Sequence, residues 1–209
     1  MPGAYERKLR THLQLAPVPG VPELNLYRAH SGSRISELVD DKATPPYWAW
    51  AWAGGLALAR YILDHPEKVA GKRILDYGAG GGVVAIAAGK AGADCVCACE
   101  RDTTGQTVLR LNAEANGVVI GLWNEPDDTP PPVDLVVAGD VFYDTVAAAQ
   151  SVRFFDLCAK VGIEVLISDP GRRDLPTERL SERAVYQVTD FGLAEGSRIE
   201  AKVFGWRLA

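Results

Sequence analysis

The sequence predicts an α/β fold built on a doubly wound, mostly parallel sheet, and three observations carry that reading. From residue 72 onward, short apolar runs alternate with helical patterns, the βαβ rhythm of a parallel sheet covered on both faces. A glycine-rich turn, Gly78-Ala79-Gly80-Gly81-Gly82, joins the first of those runs to its helix, as in Rossmann-like units. The last two runs, Ala184–Thr189 and Arg198–Trp206, are separated by a stretch too short for a helical crossover, so they form an antiparallel pair.

Before residue 45, Pro17, Pro19, Gly20 and Pro22 interrupt any long element. Residues 1–45 therefore read as an irregular arm packed on the core, with one strand-like patch at Glu23–Arg28, and residues 46–209 as the functional domain. After the aromatic run from Tyr47 to Trp52, Gly54-Gly55 open an apolar helical pattern. Five parallel strands are expected at Arg73–Asp76, Cys95–Glu100, Val118–Trp123, Leu135–Ala138 and Glu164–Ser168. With the terminal pair they make seven. Helices fall near Gly82–Lys90, Thr103–Asn116 and Thr145–Lys160, the second with Asp102 as N-cap and Gly117 as its stop.

Composition narrows the function classes. The 209 residues carry 22 basic and 27 acidic side chains, a formal net charge of −5, and 47% are hydrophobic. This suits one soluble domain. It disfavours nucleic-acid binding, which needs clustered Lys and Arg. No apolar run is long enough to span a membrane, and no secretory leader is legible, so the expected location is cytoplasmic, or the mitochondrial matrix for a eukaryotic chain. Cys95, Cys97 and Cys99 alternate along one strand, where neighbouring sulfurs stand too far apart to chelate one zinc ion; they read as small buried residues with reduced thiols, and no metal is expected.

The glycine turn marks a ligand site, because it lets a backbone approach closely and precedes the free N–H groups of a helix. Gly80-Gly81-Gly82-Val83-Val84-Ala85 satisfies a loose nicotinamide-dinucleotide fingerprint. Asp76 opposes that reading, since a carboxylate there repels a pyrophosphate and suits the ammonium of S-adenosylmethionine. Glu100, at the end of the second strand, can accept ribose hydroxyl protons of either cofactor. Trp123 and Asn124, after the third strand, are placed to cover and bond an adenine. Beyond the fourth strand, Gly139-Asp140-Val141-Phe142-Tyr143-Asp144 sets a carboxylate and a phenol on one turn, a pair that can hold an amine. Asp140 could instead cap the next helix, Tyr143 could simply pack, and Trp48, Trp50 and Trp52, if extended, share one face as an aromatic seam or a substrate wall.

These motifs resemble the seven-stranded, class I protein-lysine methyltransferases, and among them the electron transfer flavoprotein β-subunit lysine methyltransferases. The resemblance rests on Trp48, Trp52, Gly54-Gly55 with Leu58-Ala59-Arg60-Tyr61, Leu75-Asp76 with Gly78 and Gly80, Gly139-Asp140 with Phe142-Tyr143-Asp144, and Asp169-Pro170-Gly171-Arg172. It implies an S-adenosylmethionine-dependent enzyme, releasing S-adenosylhomocysteine, in which Trp52, Gly78, Gly80, Glu100 and Asn124 contact the cofactor and Asp140 with Tyr143 positions the target lysine. It points to the flavoprotein β-subunit as the protein substrate, and the chain is expected to act as a monomer with no nucleic-acid or membrane partner. Methylation of another protein such as a ribosomal one, methylation of a small amine, and a noncatalytic cofactor-binding regulator remain open alternatives.

Overall fold

The computed structural model describes residues 3–39, 45–124, 128–194 and 196–208. Its centre is a seven-stranded sheet in the order β5-β4-β3-β6-β7-β9-β8. The strands are β3 (Arg73–Tyr77), β4 (Cys95–Cys99), β5 (Gly121–Leu122), β6 (Leu135–Gly139), β7 (Glu164–Asp169), β8 (Leu180–Val188) and β9 (Ile199–Trp206). The β3, β4, β5, β6 and β7 pairings are parallel. β9 then inserts antiparallel between β7 and β8, as the short final connection predicts.

Strand alternation splits the core in two. Ile74, Leu135, Val137 and Leu166 face α2 (Ala53–Asp64) and α3 (Val83–Lys90), whereas Leu75, Val136, Ala138 and Ile167 face Phe154, Phe155 and Cys158 of α5 (Thr145–Lys160). Successive strand residues point to opposite faces, so each strand contributes to both layers. Chain direction reverses its walk across the sheet at β3, with β4 on one side and β6 on the other. That switch point opens a crevice at the carboxyl ends of the strands.

Five expectations are corrected. The segment before residue 45 is regular where described: α1 (Ala4–His12) leads into a hairpin of β1 (Gln14–Val18) and β2 (Val21–Arg28). The prolines are absorbed by the hairpin turn, by a register irregularity at Pro17/Val18 and by the strand edge. Asn112 and Asn116 of α4 (Thr103–Asn116) hold β2 from the side: Asn112 accepts the Tyr27 N–H at 2.6 Å, and Asn116 accepts the Asn25 N–H at 3.0 Å while donating to the Asn25 carbonyl at 2.6 Å. Side-chain amides here act as a neighbouring strand would.

Second, β5 is only two residues long, because Val118 is still bonded to the Ala113 carbonyl of the α4 cap and packs onto Gly89. Third, the cysteine face of β4 is not buried. Val96 and Ala98 are, while Cys97 and Cys99 are half-buried and Cys95 is exposed. Fourth, Trp48, Trp50 and Trp52 do not share a face. A 3-10 turn at Tyr47–Ala49 sends Trp48 into the core beside α4 and leaves the other two at the surface of the crevice. β8 also begins earlier than expected, at Leu180.

Candidate active site

A cavity of about 560 Å³ occupies the crevice and is lined by Trp52, Asp76, Gly78, Gly80, Glu100, Asp140 and Tyr143, together with Tyr47, Trp50 and Arg172. Seven of the nine residues singled out from the sequence therefore meet in one space. Trp123 and Asn124 stand outside its lining; the Trp123 N–H bonds the Ala98 carbonyl, and its ring packs at the edge of the α5 layer.

One end is built by β3, β4 and the glycine turn. Gly78, Gly80 and Gly82 have φ of 73°, 52° and 84°, left-handed values that side chains resist. At Gly78 an added Cβ would lie 2.9 Å from Val141, so the turn also needs the room. Gly78 and Ala79 both donate to the Cys99 carbonyl. Glu100 accepts the Gly80 N–H and the Asp102 N–H, each at 2.8 Å, and burial raises its ionisation point against those two bonds. Asp76 is 1% exposed and accepts the Ala85 N–H at 2.9 Å. It caps α3, whose own N-cap residue, Gly82, has no side chain to do so. Burial pushes Asp76 up to about 7. Asp102, the N-cap read from the sequence, accepts from Thr104 and Gly105 and also holds the Trp48 indole at 3.0 Å.

The other end joins four segments distant in sequence. Gly54, Gly55 and Gly139 let the start of α2 touch the ends of β6 and β7: a Cβ on Gly54 would lie 2.5 Å from the Ser168 carbonyl oxygen and 2.7 Å from the Asp140 nitrogen, and one on Gly139 would lie 2.7 Å from Gly55. Directly after Gly139 the chain turns through Asp140 at φ 60°, a left-handed conformation tolerated by Asp. This turn aims the carboxylate back at α2. Asp140 accepts the Gly54 N–H at 2.8 Å through Oδ2 and the Arg172 Nε–H at 2.7 Å through Oδ1. Arg172 also donates to Asp190 at 3.1 Å, and Asp190 accepts the Ala53 N–H at 3.1 Å. Two carboxylates thus satisfy adjacent N–H groups at the start of α2, where Trp52 offers no side-chain cap.

Burial raises Asp140, opposed by its bonds from Arg172 and Gly54. Asp169, buried nearby and bonded to the Gly171 and Arg172 N–H groups, is pushed by burial up to about 6. The helix following Asp140 is capped by Asp144, which accepts the Ala147 N–H at 2.8 Å, so the capping alternative for Asp140 falls. Tyr143 is 48% exposed and packs on Tyr47 with ring centroids 4.8 Å apart. Tyr47 meets Trp52, and both Trp50 and Trp52 meet Phe191, giving an aromatic rim.

Sequence reading found Asp140 and Tyr143 and quoted Arg172 only within a turn motif. It missed Asp190, Tyr47 and Phe191. Nothing periodic marks Asp190; its role appears only when the β8–β9 connection meets α2. Among the described residues no cluster of His, Cys, Asp and Glu has the arrangement of a metal site, and no helix is long and apolar enough to cross a membrane.

A family model described as ribosomal protein L11 methyltransferase (PrmA) matches residues 57–142. The electron transfer flavoprotein beta subunit lysine methyltransferase of Danio rerio is 36% identical over 165 residues, covering 74% of this chain and 61% of its own length. The chain thus spans about three fifths of that vertebrate relative. A homolog of the same enzyme in Caenorhabditis elegans is 30% identical over 200 residues, covering 84% of this chain and 80% of its own. Among solved structures, a Pyrococcus horikoshii protein described as a candidate RNA methyltransferase superposes with TM-score 0.59 at 17% identity, covering 84% of this chain and 96% of that one. At that identity the likeness concerns the fold, which is the class I methyltransferase sheet. With four fifths of the nematode relative matched at 30% identity, the chain belongs to the electron transfer flavoprotein β-subunit lysine methyltransferase family.

Proposed function

We propose that this protein is an S-adenosylmethionine-dependent protein-lysine N-methyltransferase and that its substrate is the electron transfer flavoprotein β-subunit. The observation that carries the proposal is the meeting, in one cavity, of a glycine turn with Glu100 at one end and Asp140 with Tyr143 at the other. The residues fit the cofactor. At Gly78 a side chain would intrude on Val141, and the left-handed glycines keep the turn free of side chains where a ligand must approach. Glu100 would accept the ribose hydroxyl protons. Trp52 would flank the bound cofactor, while Asp76 sets the turn by capping α3. Trp123 and Asn124 remain assigned to the adenine end, outside the cavity lining as it stands.

When bound, S-adenosylmethionine supplies a methyl group whose sulfonium sulfur leaves with the C–S electron pair, as the neutral thioether of S-adenosylhomocysteine, while the amine lone pair forms the N–C bond. Asp140 is held by Gly54 and Arg172 and so presents a fixed acceptor toward the incoming amine N–H. Tyr143 and Trp52 exclude water around it. A free lysine, with an unperturbed pKa near 10.4, arrives largely protonated at neutral pH. Its proton leaves to water, and Asp140 orients the amine rather than serving as a dedicated base.

Intact-mass measurement of purified flavoprotein β-subunit after incubation with this protein and cofactor tests the proposal. Methyl increments are the expected result, and an unchanged mass rejects that substrate. Ribosomal protein L11 in a parallel reaction tests the reading favoured by the match to the PrmA model. Absence of S-adenosylhomocysteine formation with every protein offered would favour a noncatalytic binding module.

A further inference from the structure

Asp140 does not wait as an isolated carboxylate. Arg172 lies against it at 2.7 Å and bonds Asp190 at 3.1 Å, while both acids also accept N–H groups of α2. The Asp140 side chain is 5% exposed and that of Asp190 8%, so these charges interact with little screening. An unpaired carboxylate beside the substrate would hold a lysine as its ammonium, which has no lone pair for a methyl group. A guanidinium on the same carboxylate works against that.

We propose that Arg172 is a positioning residue that offsets the charge of Asp140, with Asp190 holding the guanidinium in place, so that the target amine is bound as the free base. The inference rests on the methyltransferase reading above. The orientation of Asp140 and its charge are thereby separated: Gly54 and Arg172 fix where its oxygens point, and Arg172 cancels most of the field that would retain the amine's proton. That proton passes to water before the N–C bond forms. Asp190 accepts the Phe191 N–H as well, which ties the same ion pair to the aromatic rim.

Among the described residues, the following charged groups also face this end. Asp169 contributes from the end of β7. Glu100, Arg101, Asp144 and Tyr47 act on Tyr143 from the opposite side. The start of α2 brings backbone N–H groups and no titratable side chain from Trp52 to Gly55. Asp169 is raised to about 6 and Asp76, in the lining of the same cavity, to about 7; both are common to every variant, so a difference between variants in a pH series above 7 reads the amine.

The test measures kcat for methyl transfer from labelled S-adenosylmethionine to purified flavoprotein β-subunit, from about pH 7 to 10, because kcat reports ionisations within the bound complex. For Arg172→Gln the acid limb should move up by about one unit, a loss of about tenfold at pH 7 that recovers at high pH. Arg172→Lys keeps the charge and should return the limb toward its original position, with a lower plateau from the missing fork. Asp190→Asn removes a negative charge and should move the limb the other way. Tryptophan fluorescence, with Trp50 and Trp52 lining the cavity, follows S-adenosylhomocysteine binding in each variant as an independent readout of an intact site. Limbs that coincide in all variants while transfer proceeds overturn the inference and leave the enzyme assignment standing. No transfer by the unmodified protein overturns both. If Arg172→Gln binds no S-adenosylhomocysteine, Asp190→Asn carries the test: a limb moved to lower pH supports the inference, and a lowered rate with an unmoved limb rejects it.

Discussion

At the end of the cavity formed by β3 and β4, Asp76 and Glu100 accept backbone N–H groups, and among the described residues no cation is bonded to either. At the end formed by β6, β7 and the β8–β9 connection, Asp140 and Asp190 also accept backbone N–H groups but share Arg172 between them. Both ends use carboxylates to complete a helix start, α3 in one case and α2 in the other. In the reading proposed above, the first leaves the Glu100 carboxylate without a bonded cation among the described residues where the cationic cofactor would lie. The second brings its charge closer to balance, which would suit the neutral amine of that reading. One device, an acid on free helix N–H groups, thus serves two electrostatic purposes according to whether a guanidinium joins it.

Breaking the junction that assembles the second end should have the largest effect. Gly54→Val places a side chain against the backbone of Ser168 and Asp140, where nothing flexible can yield. We expect a loss of about 3 kcal/mol or more in urea unfolding, with activity abolished. Next comes Asp140→Asn, which removes the charge but keeps an acceptor for the Gly54 N–H. Its kcat should fall about a hundredfold, because amine orientation is lost in the reacting complex. S-adenosylhomocysteine binding, followed by calorimetry, should hardly change.

Glu100→Gln sharpens the comparison from the opposite end. One of its two backbone partners loses its acceptor, so we expect cofactor binding to weaken about tenfold while kcat at saturating cofactor stays within about threefold. Equal effects of Glu100→Gln and Asp140→Asn on binding would erase the division between the ends.

The last expected effect concerns pH and leaves the chemistry of both ends untouched. Asp76 is raised by burial to about 7 from an ordinary value of 3.8, so the folded state binds its proton more readily than the unfolded chain. The associated stability is fully present below about pH 4 and is lost as pH rises through 7. Asp76→Asn keeps the acceptor for Ala85 without the buried charge. It should be more stable than the unmodified protein at pH 8, and the difference should vanish near pH 4. Urea unfolding without cofactor at the two pH values checks this.

The two ends also differ in how far they can be read from the chain. The first lies within one βαβ unit, residues 73–105, where the glycine turn, Asp76, Glu100 and the Asp102 cap are all local signals. The strand period and the short β8–β9 connection likewise made the sheet and its antiparallel close legible. What escaped was set by distant partners. The β1–β2 hairpin was obscured by prolines, whose strand conformation depends on Asn112 and Asn116 pinning β2 from α4. The alternation of Trp48, Trp50 and Trp52 misled because a 3-10 turn, with Trp48 bonded to Asp102, separates residues that an extended chain would align.

The sequence by itself therefore determined the α/β class, the glycine turn and the acids at the strand ends, because periodicity, turn chemistry and capping act over a few residues. It also marked Asp140 and Tyr143 on one turn, the pair to which the proposed function gives the amine. Only the tertiary structure decided what stands beside Asp140. Ala53, Gly54, Asp140, Arg172 and Asp190 are brought together from four stretches of chain by the packing of α2 on the ends of β6 and β7. Coulomb attraction between such groups depends on their separation in space and on burial, neither of which leaves a mark in local residue pattern.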